Sequence, residues 1–293
     1  MKKHSGLIIG LVVLLGLVIA GAFFGKKYID QKVANNEKIV ATTVAITEIF
    51  DKLDVNLAGV PSTEASLPAR YRKLPKVGNP MNPSVEKIAS LNPTKVYAVS
   101  TLKDQYDQSF KEQSVDVTYL NLDSVAALKS TLTSLGKEYY RQKQAEQQIK
   151  IIDEAVAKAK ARIHGQKPKV LILMGLPGAG YLILTNKSYL GDLVRLAGGE
   201  NLYKSKSQIY LNPSNESLAK QNPDLILRLS HAMPKVTIPQ FKQEFKSNPV
   251  WKKMKAVKEG KVYDLKQPTF NASANMEVSK AIKKLSQLLY PEN

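Results

Sequence analysis

Histidine and cysteine, which most often bind metals or act as nucleophiles, are scarce in this sequence. The 293 residues contain three histidines and no cysteine, which excludes disulfides, thiolate metal sites and cysteine nucleophiles. His4 lies in an apolar N-terminal segment and His164 at the end of a predicted helix, so His231 is the best-placed candidate. A zinc or manganese binder usually gathers several such ligands, and the chain lacks the G-x-S-x-G turn of a serine hydrolase. We therefore expect a protein that is not an enzyme.

A twenty-residue segment occurs twice, 130 positions apart and without a gap. Met81 opens the first copy, and His231 directly follows the second. Each copy predicts a helix with Asn82 or Asn212 as its N-cap, proline at the first helical position and an acidic residue in the first turn, followed by a short strand. Internal duplication predicts two similar lobes. The identical positions are Asn82, Pro83, Ser84, Glu86, Ala89, Asn92, Pro93 and Ser100, which recur as Asn212, Pro213, Ser214, Glu216, Ala219, Asn222, Pro223 and Ser230.

Strands and helices alternate along the predicted body. From Leu135 to Ile163 there is no proline and only one glycine, which predicts one long helix between the lobes. The predicted fold class is α/β, with two similar lobes, central sheets flanked by helices, and one long rigid α-helix bridging them. Ligands of such proteins lie between the lobes, at the carboxyl ends of parallel strands, and we expect little hinge closure. The predicted boundaries are a signal anchor or signal peptide 1–25, a linker 26–37, an N-terminal lobe 38–134, a linking helix 135–165 and a C-terminal lobe 166–293.

The first 25 residues predict the compartment. Lysines flank an unbroken apolar stretch from Leu7 to Phe24, which is typical of an export signal or a membrane anchor. The small residues Ala20 to Ala22 permit cleavage after Ala22, which would release the protein, but the length of the stretch favours retention. We therefore expect a protein tethered to the cell membrane by its N-terminal helix, with its body on the extracytoplasmic face.

The formal charge is +18 and the isoelectric point about 9.7. Such a charge fits nucleic acid, anionic lipid, a wall polymer or an acidic small molecule. No aromatic-interleaved RNA motif accompanies the basic residues, so we expect no nucleic-acid partner. The sequence GLPGAG from Gly175 to Gly180 does not match a nucleotide-binding loop and predicts a turn lining the cleft. The densest run of positive charge predicts a solvated surface and comprises Lys252, Lys253, Lys255, Lys258 and Lys261.

Segments spread over both lobes resemble one known family, the haem-binding receptors of iron-regulated surface determinant importers (the IsdE type). The similarity extends from about Lys38 to the C-terminus and is carried by ATTVAITEIFDKL, LPARYRKLPKVGNPMNPSVEKI, VSTLKD, KVLILMGLPG, TNKSYLGDLVRLAGGEN, LILRLSHAMP and WKKMKAVKEGKVYDL. The resemblance implies haem b as the transported ligand, with Met81 and His231 as the axial ligands of its iron. Thioether sulfur and imidazole nitrogen are a recognised axial pair. A ferric siderophore or cobalamin in the same fold is the alternative.

The resemblance also implies where the haem propionates bind. The start of the first helix matches the family segment that meets them, and helix N-termini bind anions through free amides. This assigns the propionates to Thr42, Thr43, Val44 and Ala45. Secondary candidates for charge neutralisation are Arg70, Tyr71 and Lys73, and candidate apolar walls are Val44, Leu67, Leu176 and Met233.

Glu86 and Glu216 occupy matched positions in the two repeats. In related importers one surface glutamate of each lobe docks on the permease, and the resemblance assigns that role to this pair. The partners it implies are the permease and ATPase of an ABC importer and a cell-surface haem donor. The chain departs from the family at Ala22, because a lipid-bearing cysteine normally stands there. The protein is therefore not a lipoprotein, and we expect the N-terminal helix to replace the lipid.

Overall fold

The structure is a computed structural model that describes residues 37–230 and 233–292. His231, Ala232 and the apolar stretch from Leu7 to Phe24 lie outside the described residues. Within these two ranges, no helix is long and apolar enough to cross a membrane. No group of three or more histidine, aspartate and glutamate side chains in the same ranges could hold a metal ion.

The N-terminal lobe is built on three parallel strands in the order β1-β4-β5. Thr43 caps the first helix, because its side-chain oxygen accepts a hydrogen bond from the Ile46 amide. Ser124 caps the fourth helix in the same way. In chain order the elements are β1 (Ile39–Ala41), α1 (Val44–Lys52), the antiparallel hairpin of β2 (Gly78–Asn79) and β3 (Asn82–Pro83), α2 (Val85–Ser90), β4 (Lys95–Val99), α3 (Lys103–Glu112), β5 (Val117–Leu120) and α4 (Val125–Glu138).

The connection between the lobes differs from the single helix predicted for 135–163. Helix α4 continues to Glu138, and a separate helix α5 (Gln142–Ala161) follows a short break. Tyr140 adopts a left-handed conformation with φ of +56°, which ends a right-handed helix. A methyl group on Gly136 would lie 2.7 Å from the Ala145 Cβ, so the two helices pack closely at this turn. The linking helix is therefore α5, which begins at Gln142 and not at Leu135.

The C-terminal lobe contains a larger, mixed sheet. Its strand order is β11-β10-β6-β7-β9, with β8 paired to β6. Strands β6, β10 and β11 are parallel, whereas β6 and β7 form an antiparallel hairpin. In chain order the elements are β6 (Lys169–Leu176), β7 (Gly180–Leu184), α6 (Tyr189–Leu196), β8 (Glu200–Asn201), β9 (Tyr210–Leu211), α7 (Asn215–Ala219), β10 (Leu225–Leu229), α8 (Pro234–Ser247), α9 (Pro249–Lys253), α10 (Lys255–Lys258), β11 (Val262–Leu265) and α11 (Val278–Leu289).

The internal repeat corresponds to a repeated structural unit. Helix α2 with strand β4, and helix α7 with strand β10, occupy matched positions. The predicted N-caps, Asn82 and Asn212, were wrong: Ser84 and Ser214 cap the two helices and accept hydrogen bonds from the amides three residues later. The reason in the first copy is that Asn82 belongs to strand β3, where it pairs with Asn79.

One continuous hydrophobic core joins the two lobes. Its buried side chains include Phe50 of α1, Leu132 of α4, Ile152 of α5, Ile172 of β6 and Ile282 of α11. Complete burial of one such side chain contributes about 1.5–3 kcal/mol. Separating the lobes would expose many of them at once, which agrees with the expectation of little hinge closure.

Candidate ligand-binding cleft

The carboxyl edges of the two sheets meet through the segment that follows β11. The Ala274 amide donates to the Leu122 carbonyl, just beyond the end of β5, at 2.8 Å. The Met276 amide donates to Glu48 Oε2 of α1 at 3.3 Å. These contacts join the segment after β11 to the loop after β5 and to α1. The carboxyl ends of parallel strands are where α/β proteins bind ligands. The loops at these edges are therefore the candidate site.

Met81 lies at this edge, on the tip of a tight hairpin. It is in the two-residue turn between β2 and β3, and 49% of its surface is exposed. Its backbone amide donates to Asn79 Oδ1 at 2.9 Å, and its carbonyl accepts from Gln105 Nε2 at 2.6 Å. Gln105 is in the first turn of α3, directly after the carboxyl end of β4. The thioether is thus presented to solvent beside the end of β4.

The hairpin is held firmly against the body of the lobe. The Ser84 amide donates to the Val77 carbonyl at 2.7 Å, and the Ser62 amide donates to the Gly78 carbonyl at 2.8 Å. Gly78 has a φ of +102°, and a methyl group there would lie 2.6 Å from the Ser84 nitrogen. Only glycine fits this position, because both the backbone angle and the space exclude a side chain.

The residues on either side of His231 are described, although His231 itself is not. Ser230, at the carboxyl end of β10, is 2% exposed. Met233 has a φ of +45° and precedes the first residue of α8, and 57% of its surface is exposed. A methionine in the left-handed region is strained. The described residues that flank His231 are therefore the end of a fully buried strand and an exposed helix start.

The sequence Gly175 to Gly180 forms the turn between β6 and β7. It enters no helix, whereas a nucleotide-binding loop leads into one. Gly175 packs against α8: a methyl group there would lie 2.9 Å from Phe241 Cε2 and 3.1 Å from Thr237 Cβ. Leu176 is partly buried beside this contact. The hairpin thus supports the helix that follows residues 231 and 232.

The start of α1 offers free amides at the carboxyl edge of the N-terminal sheet. Thr42 is tied to β4, because its amide and hydroxyl both donate to the Tyr97 carbonyl at 3.1 Å. Among the described residues, none accepts a hydrogen bond from the amides of Thr43, Val44 or Ala45. Unpaired amides and the positive end of the helix dipole favour an anion here.

Arg70 and Tyr71 lie at the opposite end of α1. Arg70 donates to the side chains of Asp54 and Asn56 at 2.5 and 2.6 Å, and the buried Tyr71 donates its hydroxyl to the Val55 carbonyl. These partners follow the last residue of α1, a helix about 13 Å long. The structure therefore places Arg70 and Tyr71 at the end of α1 and away from its first turn, where the candidate anion-binding amides lie.

The remaining predicted residues occupy different environments. Leu67 is buried in the core, Val44 is partly buried, and Lys73 is exposed on the long loop. Glu86 and Glu216 are exposed in the first turns of the matched helices α2 and α7. The lysines predicted to be solvated are all exposed, and they are Lys252, Lys253, Lys255, Lys258 and Lys261.

Glu48 is a feature of this edge that the sequence did not indicate. Burial raises the pKa of its carboxyl group from 4.5 to about 7. The Met276 amide opposes this rise by donating to the carboxylate, as does the charge of Lys52, whereas Glu277 and Asp51 add repulsion. A single glutamate in a helix is usually solvated, so the sequence does not indicate that Glu48 is buried. Its burial depends on residues of the other lobe that pack against it.

The chain belongs to the periplasmic binding protein family, whose model matches residues 39–269. The high-affinity heme uptake system protein IsdE of Staphylococcus aureus (strain Newman) is 42% identical over 257 residues, which cover 87% of this chain and 88% of that protein. The crystal structure of S. aureus IsdE complexed with heme matches with a TM-score of 0.84, over 87% of this chain and 99% of that one.

An ABC transporter substrate-binding protein from Listeria monocytogenes EGD-e is similar to the same degree. It has a TM-score of 0.80 and 40% identity, over 87% of this chain and 99% of that one. Together these relatives confirm the predicted fold class and the resemblance to the IsdE type. They are uptake and substrate-binding proteins, which confirms the prediction that the chain is not an enzyme.

Proposed function

We propose that this protein is an extracytoplasmic haem-binding receptor of an ABC importer, which holds haem b between its lobes and delivers it to the permease. The observation that carries this proposal is the 42% identity to IsdE over 87% of the chain, together with the match to the haem complex of IsdE. The similarity covers both lobes, so it includes both edges that form the cleft.

Met81 and His231 are the proposed axial ligands of the haem iron. The Met81 side chain is exposed at the carboxyl edge of the N-terminal sheet. His231 directly follows Ser230 and β10, which ends at the carboxyl edge of the other sheet. One ligand from each lobe suits a flat macrocycle bound between them, and methionine with histidine is a recognised pair for haem iron.

The haem propionates are proposed to bind at the start of α1. The amides of Thr43, Val44 and Ala45 have no acceptor among the described residues, and Thr42 fixes this corner to β4. A carboxylate at a helix N-terminus gains both hydrogen bonds and a favourable interaction with the dipole. No positively charged side chain is needed for this role.

Hemin titration of the purified protein tests the proposal. We expect a low-spin Soret band, and we expect Met81→Ala and His231→Ala each to change it, because each removes one bond to the iron. Absorption spectra of the ferric and ferrous states are the measurement. The matched control is His164→Ala, which removes an exposed histidine after α5.

Two results would contradict the proposal. Unchanged spectra in both Met81→Ala and His231→Ala would remove the ligand assignment. Absence of any hemin binding, with tight binding of a ferric siderophore or cobalamin, would replace haem by the alternative ligand of this fold. A changed spectrum in Met233→Ala and not in Met81→Ala would transfer the sulfur ligand to Met233.

Glu86 and Glu216 are the proposed docking residues for the permease. They are exposed at equivalent positions of the two lobes, so together they can contact two permease subunits. The family resemblance pairs these glutamates with arginines of the permease. We therefore expect Glu86→Lys combined with Glu216→Lys to weaken binding to the importer at least about tenfold, because like charges across an interface are costly. Hemin titration should be unchanged.

Binding to the permease and ATPase complex in lipid nanodiscs measures this effect. The control is Glu146→Lys combined with Glu154→Lys, which makes the same charge change on the exposed surface of α5. Equal loss in the control and in the double variant would assign the effect to net charge and not to docking.

Tethering and haem supply complete the proposed role. The apolar stretch from Leu7 to Phe24 is long enough to favour retention in the membrane, and Ala22 cannot carry a lipid in place of cysteine. The body would then stay on the outer face of the membrane, beside its permease, and receive haem from a cell-surface donor. Release into the culture medium after cleavage at Ala22 would contradict the tether and leave the haem site untouched.

A further inference from the structure

Both backbone polar groups of Met81 are held by side chains. The amide donates to Asn79 Oδ1 at 2.9 Å and the carbonyl accepts from Gln105 Nε2 at 2.6 Å. Asn79 is part of the hairpin itself, whereas Gln105 reaches across from α3. The Met81 side chain is exposed and has three rotatable bonds. The direction of the thioether therefore depends on how well the backbone at this turn is fixed.

We propose that Asn79 and Gln105 form a backbone clamp that positions the Met81 sulfur for the haem iron. This inference rests on the proposed function, in which Met81 is an axial ligand. Neither residue contacts the iron in this account, so both are positioning residues. Gln105 is the informative member, because it connects the hairpin to the rigid body of the lobe.

The Gln105 contact is specific within its helix. Gln108, one turn further along α3, points its amide to Glu112 of the same helix, at 3.0 Å. Gln105 instead crosses 24 positions of sequence to reach the Met81 carbonyl. An exposed glutamine loses side-chain freedom when it is held in this way, so the bond must offset an ordering cost.

The clamp has a measurable consequence for ligand exchange. A thioether is a weak ligand for ferric iron, and imidazole in solution competes with it for the same position. If the backbone of Met81 becomes mobile, the sulfur is correctly placed for a smaller fraction of the time, and imidazole binds more readily. Loss of one hydrogen bond of ordinary strength corresponds to a change of about three- to tenfold.

The test is imidazole titration of the full-length protein loaded with ferric haem, in detergent, followed by the Soret band. We expect Gln105→Ala and Gln105→Glu to raise the apparent affinity for imidazole about three- to tenfold, because both lack the amide donor. Asn79→Ala should act in the same direction. Asn79→Asp should restore the wild-type value, since it keeps an oxygen that can accept from the Met81 amide. Gln108→Ala is the matched control and should leave the affinity unchanged.

Met81→Ala separates failure of the clamp from failure of the proposed function. The near-infrared charge-transfer band of sulfur-ligated ferric haem should disappear in this variant. If the band persists, Met81 is not the ligand, and the proposed ligand set and the clamp both fall. If the band disappears but Gln105→Ala and Gln105→Glu bind imidazole as Gln108→Ala does, the ligand stands and the clamp is overturned.

Discussion

Raising the pH from about 5 to about 8 is expected to lower the free energy of unfolding by up to roughly 3 kcal/mol through one carboxyl group, Glu48. Its pKa in the folded protein is about 7, raised from 4.5 chiefly by burial. Between these values the folded state holds a proton that the unfolded state has lost. Stability therefore falls as the pH rises through this window, and the full penalty is present above it.

The variant Glu48→Gln isolates this contribution. Glutamine keeps an oxygen that can accept from the Met276 amide, but it carries no charge at any pH. We expect Glu48→Gln to be more stable than the wild type near pH 8 and to have a flatter stability profile. Chemical denaturation at a series of pH values is the measurement, with exposed Glu86→Gln as the control. Parallel profiles for the wild type and Glu48→Gln would contradict the expectation.

Gly78→Ala is expected to have the largest effect on the Met81 hairpin. A methyl group at this position would lie 2.6 Å from the Ser84 nitrogen, and the φ of +102° is unfavourable for alanine. Because the obstacle is backbone, the hairpin must shift as a whole. We expect a loss of roughly 2–4 kcal/mol in the free energy of unfolding, from backbone strain and overpacking together. Under the proposed function, hemin should also lose its sulfur ligand.

A second glycine provides a matched control for this substitution. Gly165 also has a positive φ, of +66°, but no atom lies within 4 Å of a methyl group built there. Gly165→Ala should therefore cost only about 1–2 kcal/mol, the usual cost of left-handed backbone for a residue with a side chain. Urea denaturation and hemin titration of both variants measure the difference. Equal costs, or an unchanged hemin spectrum in Gly78→Ala, would show that the close contact with Ser84 is unimportant.

Much of the fold was predictable because local patterns and long-range packing agree. The alternation of strands and helices, and the short helix followed by a strand in each repeat, were predicted as found. The break at Tyr140 was not, since tyrosine gives no signal for a left-handed conformation. The N-cap of α2 was wrongly predicted at Asn82 because asparagine is a favoured N-cap residue. Pairing with Asn79 places Asn82 in strand β3 instead.

The candidate site was predictable to a smaller extent. The repeat and the family resemblance singled out Met81, and the structure places it on an exposed hairpin tip. Arg70 lies away from the start of α1, because its partners Asp54 and Asn56 follow the last residue of that helix. The presence of a charged residue in a loop does not indicate which partners it will have. Glu48 and Gln105 depend on contacts with residues distant in sequence, so no local pattern indicates them.

The core shared by the two lobes has a consequence for how an importer would recognise its loaded receptor. One buried cluster extends across both lobes and includes Phe50, Ile152 and Ile282. The relative position of the lobes should therefore be nearly the same in the empty and the haem-bound protein. A transporter that senses lobe closure could not distinguish them. Discrimination would then depend on the exposed edge of the bound haem. The empty receptor would compete with the haem-bound receptor for the same docking site on the permease.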